Sequence, residues 1–217
     1  MYIPAPYAEH DPETLFAYID AHPLATLVSG SATDGLYATH LPLVLNRDAA
    51  PSGVLVGHLA RANPHHRVLA SGSGEALAIF TGPDAYITPE WYPAKREHGR
   101  VVPTWNYIAV HAYGTLHLRD DEDFLRQHLE MLTTRHESPR PQPWHVSDAP
   151  AEFIAQQMKA IVGFELTIAR LEGKWKMSQN RSDADITGVV QGLAASADPD
   201  DRAVAAIVAE RRPGARR

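Results

Sequence analysis

The order of the periodic segments constrains this chain most. Short β-type runs come first, and helices are inserted between them or appended after them. A doubly wound parallel sheet needs strands and helices in steady alternation, so this order disfavours it. An antiparallel barrel, closed or split, hides its sheet edges and fits better. Leu24 to Ser29 and Leu36 to Leu45 read as strands on either side of the polar segment Ser31 to Gly35, a hairpin-like pair. Pro42 lies within the second run. It has no N–H for a ladder, which implies a sheet edge or a bulge. Val54 to Leu59 is almost wholly apolar, the pattern of a strand buried on both faces. Ala76 to Thr81 is a fourth strand. Thr104 to Leu118 is a long one, with Gly114 as a candidate bulge. Phe164, Leu166 and Ile168 alternate with Glu165, Thr167 and Ala169, as on a half-buried strand.

Helix signals fall between and after these runs. Asp11-Pro12-Glu13 combines a cap, a proline at the first helical position and an acid in the first turn, and His22-Pro23 ends that helix. Asn63-Pro64 repeats the cap and opens a helix to about Ala70. Asp120 to Arg135 carries Phe124, Leu125, His128, Leu129 and Leu132 at helical spacing. Ala151 to Val162, Asp183 to Ala197 and Asp200 to Arg212 are further helices. Gly82 to Gly99 reads as an ordered covering loop, and His136 to Ser147, with three prolines, as a linker. The chain is expected to be a single domain over 1–217 with a C-terminal helical extension at about 182–212.

Composition then narrows the chemistry. The chain has 217 residues, 20 Lys and Arg, 26 Asp and Glu, and no Cys. Disulfides, thiolate metal sites and cysteine nucleophiles are therefore excluded. A formal charge of −6 gives no general attraction to nucleic acid or anionic membranes. No apolar run approaches the about 20 residues of a membrane helix. The N-terminus lacks the basic and apolar regions of a signal peptide, so a cytoplasmic location is expected.

Four segments are candidates for a site. In Gly57 to His66 a buried strand runs into a helix start, where free amides favour an anion and Arg61 adds a guanidinium. A capped helix with a surface arginine is the alternative. Tyr37 to Leu43 places the polar Thr39 and His40 in an apolar strand; taken alone, it reads better as polar residues facing water. Trp105 and Tyr107 flank Asn106 and share one strand face, as a ring-stacking wall or as core. Lys174 to Arg181 is dense in donors, fit for an anion or for a solvated turn. His40, His58, His65, His66 and His111 lack an HExxH or carboxylate companion, so no metal site is expected. There is no GxSxG elbow and no Walker loop, and no residue stands out as a catalytic acid or base. The last two helices resemble a helix-turn-helix, but Asp198, Asp200 and Asp201 stand where a reader helix meets phosphate. Arg211, Arg212, Arg216 and Arg217 form a basic tail.

Six motifs in order resemble the PaiB-type family of FMN-binding negative transcriptional regulators. They are Met1-Tyr2-Ile3-Pro4, Thr39-His40-Leu41-Pro42, Gly57 to Pro64, Tyr86-Ile87-Thr88-Pro89 with Trp91-Tyr92, Val102 to Tyr107, and Lys176 to Arg181. The resemblance implies an α+β, mainly β fold: an antiparallel split β-barrel with peripheral and C-terminal helices. It implies a homodimer with FMN at the subunit interface. The phosphate would lie near Arg61 and Asn63, and the isoalloxazine along Thr39, His40, Leu41 and His58. Trp105, Asn106 and Tyr107, or Lys176, Ser178, Gln179 and Asn180, would close the site from the partner subunit. Two functions follow: a flavin or redox sensor that lowers transcription, with DNA binding unsupported by charge, or a flavin-dependent oxidoreductase or haem-handling enzyme.

Overall fold

The computed structural model describes residues 1–31, 35–71 and 74–214. Residues 32–34 of the polar segment Ser31 to Gly35, and Arg216 and Arg217 of the basic tail, lie outside the described residues. The strands are β1 (Ala8–Glu9), β2 (Leu24–Ser31), β3 (Gly35–Pro42), β4 (Val44–Asn46), β5 (Val54–Ala60), β6 (Glu75–Ile87), β7 (Thr104–Arg119) and β8 (Ile161–Lys176). The α-helices are α1 (Pro12–Ala21), α2 (His65–Ser71), α3 (Ala94–Glu97), α4 (Glu122–Glu137), α5 (Ala151–Met158), α6 (Asp183–Ala194) and α7 (Pro199–Glu210). The sheet runs in the order β3-β2-β6-β7-β8-β5-β4, with β1 on β8. This is the antiparallel, mainly β architecture with peripheral and C-terminal helices that the segment order implied. Among the described residues no helix is long and apolar enough to cross a membrane.

The chain forms two compact units. One comprises Phe16–Phe80 and His111–Leu171, the other Met1–Leu15, Thr81–Val110 and Glu172–Arg217. The long strands β6, β7 and β8 each carry the chain from one unit into the other.

In the first unit β2 and β3 pair antiparallel from Leu24↔Pro42 to Ser31↔Gly35, so Pro42 closes the ladder on the terminal strand of the sheet. That is the edge its missing N–H requires. The second predicted run divides at Leu43, whose N–H donates to Pro23 O at 2.9 Å. Alternation on β2 buries Ala25, Leu27 and Ser29. β5 is buried at Val54, Leu55, Val56, Gly57 and Leu59, and it pairs with β8 from Val54↔Thr167 to Ala60↔Ile161. Helix α4 starts at Asp121, whose carboxylate accepts from Phe124 N at 2.9 Å. Its Leu125 packs with Ile154 and Met158 of α5.

In the second unit α6 carries Gly188 and Gly192 at helical spacing. A Cβ on Gly188 would lie 1.9 Å from Trp91 O, and one on Gly192 would lie 2.2 Å from the Trp91 ring, so both positions must be glycine for Trp91 to pack. Arg211 pairs with the buried Glu9, and Arg212 with Asp183. The described half of the basic tail is thus tied to carboxylates.

The structure differs from the sequence reading along β6 and β8. Gly82-Pro83 reads as a strand stop, yet β6 continues to Ile87. The buried positions shift from even numbers (Ala76, Ala78, Phe80) to odd ones (Ala85, Ile87) across this dipeptide, which breaks the pattern a periodicity search follows. On β8 the strand continues through Lys176, into the Lys174 to Arg181 segment whose alternative reading is a solvated turn. Gly114 is needed for close approach: a Cβ there would sit 2.0 Å from Thr167 O. Gly114→Ala should therefore destabilise the protein by about 3 kcal/mol, because backbone must move to admit one methyl group. Urea unfolding monitored by circular dichroism measures this, and an unchanged midpoint would contradict it.

Candidate functional site

In the first unit the junction of β5 and α2 is organised by His65, which is fully buried. Its Nε2 lies 2.8 Å from Ser29 Oγ, and its Nδ1 lies 2.8 Å from Thr39 Oγ1. Asn63 Nδ2 donates to Thr39 Oγ1 at 3.1 Å, and His65 N donates to Asn63 Oδ1 at 3.0 Å. Burial lowers the His65 pKa, so the ring is neutral. A neutral imidazole has one donor and one acceptor, so one hydroxyl donates to it and the other accepts from it. His65 lies in the candidate segment Gly57 to His66 but is not among the residues expected to touch the flavin. The signal for it was the alternation on β3, which points Thr39 and Leu41 to the side opposite His40. Leu41 is core, and His40 is exposed and bonded to Thr26 Oγ1 at 2.9 Å. Thr39 and His40 therefore face opposite sides of one strand.

Arg61 is engaged as well. It donates to Asp120 through both terminal nitrogens and to Lys159 O from Nε at 3.0 Å. The Arg61 hydrogen bonds hold the Asp120 carboxyl below its usual range. Asn63 uses its side chain on Thr39 and on the start of α2. The expected phosphate cradle is thus a closed network in this structure.

His58, on β5, meets His128 of α4, with Nδ1 of His58 3.0 Å from Nε2 of His128. His128 is 1% exposed, and its Nδ1 is buried without a partner. A proton on that Nδ1 would be an orphaned buried donor, which is costly. The favoured tautomer puts the proton on His128 Nε2, donated to His58 Nδ1. His58 then carries its own proton on Nε2, which has no partner among the described residues and is not sealed from solvent. His58 is a fixed outward hydrogen-bond donor.

In the second unit, Trp105 and Tyr107 share a face of β7, as their spacing predicts. Trp105 is 53% exposed and meets Tyr86 edge-on at 5.8 Å. With Thr81, Gly82, Asp84 and Ile108 the pair lines a cavity of about 300 Å³. Asn106 points the other way and is buried, with Nδ2 donating to Ser178 Oγ at 3.0 Å. Ser178 has φ 63°, a left-handed conformation uncommon outside glycine. Gln179 clamps the same turn: its Oε1 accepts from Met177 N at 2.7 Å and its Nε2 donates to Trp175 O at 2.6 Å. Lys176 donates to Thr104 Oγ1 at 2.5 Å and to Trp105 O. Asn180 is exposed. Another cavity, of about 680 Å³, lies in the first unit between Val28–Ser31, Glu75–Leu77 and Tyr113–Thr115, and no expected site residue lines it.

The sheet order and appended helices define an antiparallel split β-barrel with peripheral helices. The FAD and haem binding protein of Mycobacterium smegmatis superposes with TM-score 0.57 at 19% identity, covering 83% of this chain and 79% of that one; at this identity the likeness shows the fold. A family model described as "Putative FMN-binding domain" matches residues 1–170, and the chain belongs to that family. Among its relatives is the Bacillus subtilis "Protease synthase and sporulation protein PAI 2", 30% identical over 97% of this chain and 98% of that protein, which places the chain with the PaiB-type proteins. An uncharacterized protein of Emericella nidulans is 34% identical over 97% of each chain.

The histidine pair makes stability depend on pH. Burial lowers the His58 pKa. Burial and then the His58 charge push His128 down to about 4. Both folded values lie below the unfolded one, so the unfolded chain binds more protons as pH falls below about 6.5. Stability is full above that pH and is lost on the way down to about pH 4, with His128 contributing on the order of 3 kcal/mol. Urea unfolding across this range should show that His128→Leu loses less stability than wild type. Parallel losses would contradict the assignment.

Proposed function

We propose that this protein binds FMN as a homodimer, with the flavin at the subunit interface, and acts as a flavin-responsive negative regulator of transcription. The observation that carries the reading is the FMN-binding family match over residues 1–170, which contains Thr39, His58, Arg61, Asn63 and Trp105 to Tyr107. The donor set supports it. A flavin needs a flat aromatic wall, hydrogen-bond donors for its ring and cations for its phosphate. Trp105 and Tyr107 offer the wall, and His58 offers an outward N–H. When bound, flavin supplies reversible one- and two-electron chemistry. Relationship to a protein named for protease synthesis and sporulation supports regulation. The charge does not support DNA reading by α6 and α7: α7 opens on Asp200 and Asp201, and Arg211 and Arg212 are paired with acids.

Titrating the protein into FMN should quench the flavin fluorescence, and the complex should show flavin absorption bands. Unquenched FMN would overturn the reading. Adding NADH or NADPH then separates sensor from enzyme: steady oxidation of the nucleotide would replace regulation with oxidoreductase activity.

A further inference from the structure

Most described arginines of this acidic chain have a carboxylate partner. A cluster of three cations in the second unit does not. Lys174 is only 7% exposed, and its Nζ donates to Tyr107 Oη at 2.6 Å. Lys176 bonds only the neutral Thr104 hydroxyl and Trp105 carbonyl. Arg181 lies 4.7 Å over the Tyr92 ring. Among the described residues none of the three forms an ion pair. Four acids of the same unit are committed elsewhere: Glu9 to Arg211, Glu172 to the N-terminal ammonium, Asp183 to Arg212, and Asp185 to Ala94 N at 3.2 Å.

Burying cations without a counter-charge is costly, so such a cluster attracts an anion from solution. The site around it is built for one. Lys176 and Arg181 line a cavity of about 50 Å³ together with Thr104, Asn106, Ser178 and Asn180. Thr104 Oγ1 accepts from Lys176, which leaves its own O–H to donate. The Asn180 amide has no partner among the described residues. Asn106 holds Ser178 in its left-handed turn. The volume suits one tetrahedral head group and is too small for a flavin ring. Burial, then the neighbouring Lys174 and Arg181 charges, lower the Lys176 pKa, as mutual repulsion among unneutralised cations would.

We propose that Lys176 and Arg181, with the donors of Thr104 and Asn180 and the added charge of the neighbouring Lys174, form a receptor for a phosphate-class anion. Its cations lie beyond residues 1–170, to which the family match extends, while Thr104 and Asn106 lie within it. The cations have no carboxylate partner among the described residues, whereas Arg61 is paired with Asp120. The anion is either the phosphate of FMN or a free phosphate or phosphomonoester. Only the first source rests on the flavin reading.

Calorimetric titration of the flavin-free full chain with inorganic phosphate, at ionic strength held constant with chloride, tests the site itself. A saturable heat and a rise in Tm over the chloride control are expected. Arg181→Gln should weaken phosphate by about tenfold or more, the loss of one charge-assisted bidentate contact. Circular dichroism checks the fold of that variant, and the wild-type titration needs no variant. Absence of saturable phosphate binding by wild type, or unchanged affinity in folded Arg181→Gln, would overturn the proposal. Competition assigns the source. Displacement of phosphate by FMN but not by riboflavin supports the flavin phosphate, whereas simultaneous binding of FMN and phosphate supports a second ligand. FMN binding without any phosphate site would leave the flavin reading standing and remove this one.

Discussion

Lys174 sits almost sealed from water with a tyrosine hydroxyl and two aromatic rings around it, and no carboxylate. Elsewhere in the chain many arginines are paired with acids. Asp20 takes both Arg47 and Arg135, Asp120 takes Arg61, Glu165 takes Arg119, and Glu9 takes Arg211. With more acids than bases, an unpaired buried lysine is not a shortage of partners but a vacancy in the local charge pattern. Electrostatics thus separates two features that look alike in sequence. The Arg61 segment is a closed structural network. The Lys174 to Arg181 segment holds three cations with no ion pair among the described residues.

The histidines divide in the same way. His65 has both ring nitrogens satisfied and ties β2, β3 and the β5–α2 junction together. His58 has one nitrogen satisfied by His128 and keeps the other for solvent or a ligand. A buried partner that fixes a tautomer lets a half-exposed imidazole present a donor without carrying charge.

Much of the fold was legible. Helix α1 was readable because Asp11-Pro12-Glu13 states its start in local chemistry, and α4 because its apolar residues keep helical spacing. β5 was readable because it is apolar throughout. The extension of β6 beyond Gly82-Pro83 was not, since its burial phase shifts by one residue there. The far end of β8 was hidden because its buried Lys174 is polar. At the site, the shared face of Trp105 and Tyr107 followed from strand geometry alone. Sequence could not show that Asp120 lies against Arg61, that Asn106 reaches Ser178, or that His128 backs His58. Each is a contact between residues far apart in the chain, and pairing decides whether a charged or polar side chain is available.

The family match, the aromatic wall and the unneutralised cations support the proposed flavin binding, and the dimer is part of that proposal. Native mass spectrometry of the protein incubated with FMN tests that most directly. The account predicts a species of two chains carrying two FMN molecules. A single chain with no added mass, at FMN concentrations that saturate a known flavoprotein, would contradict it.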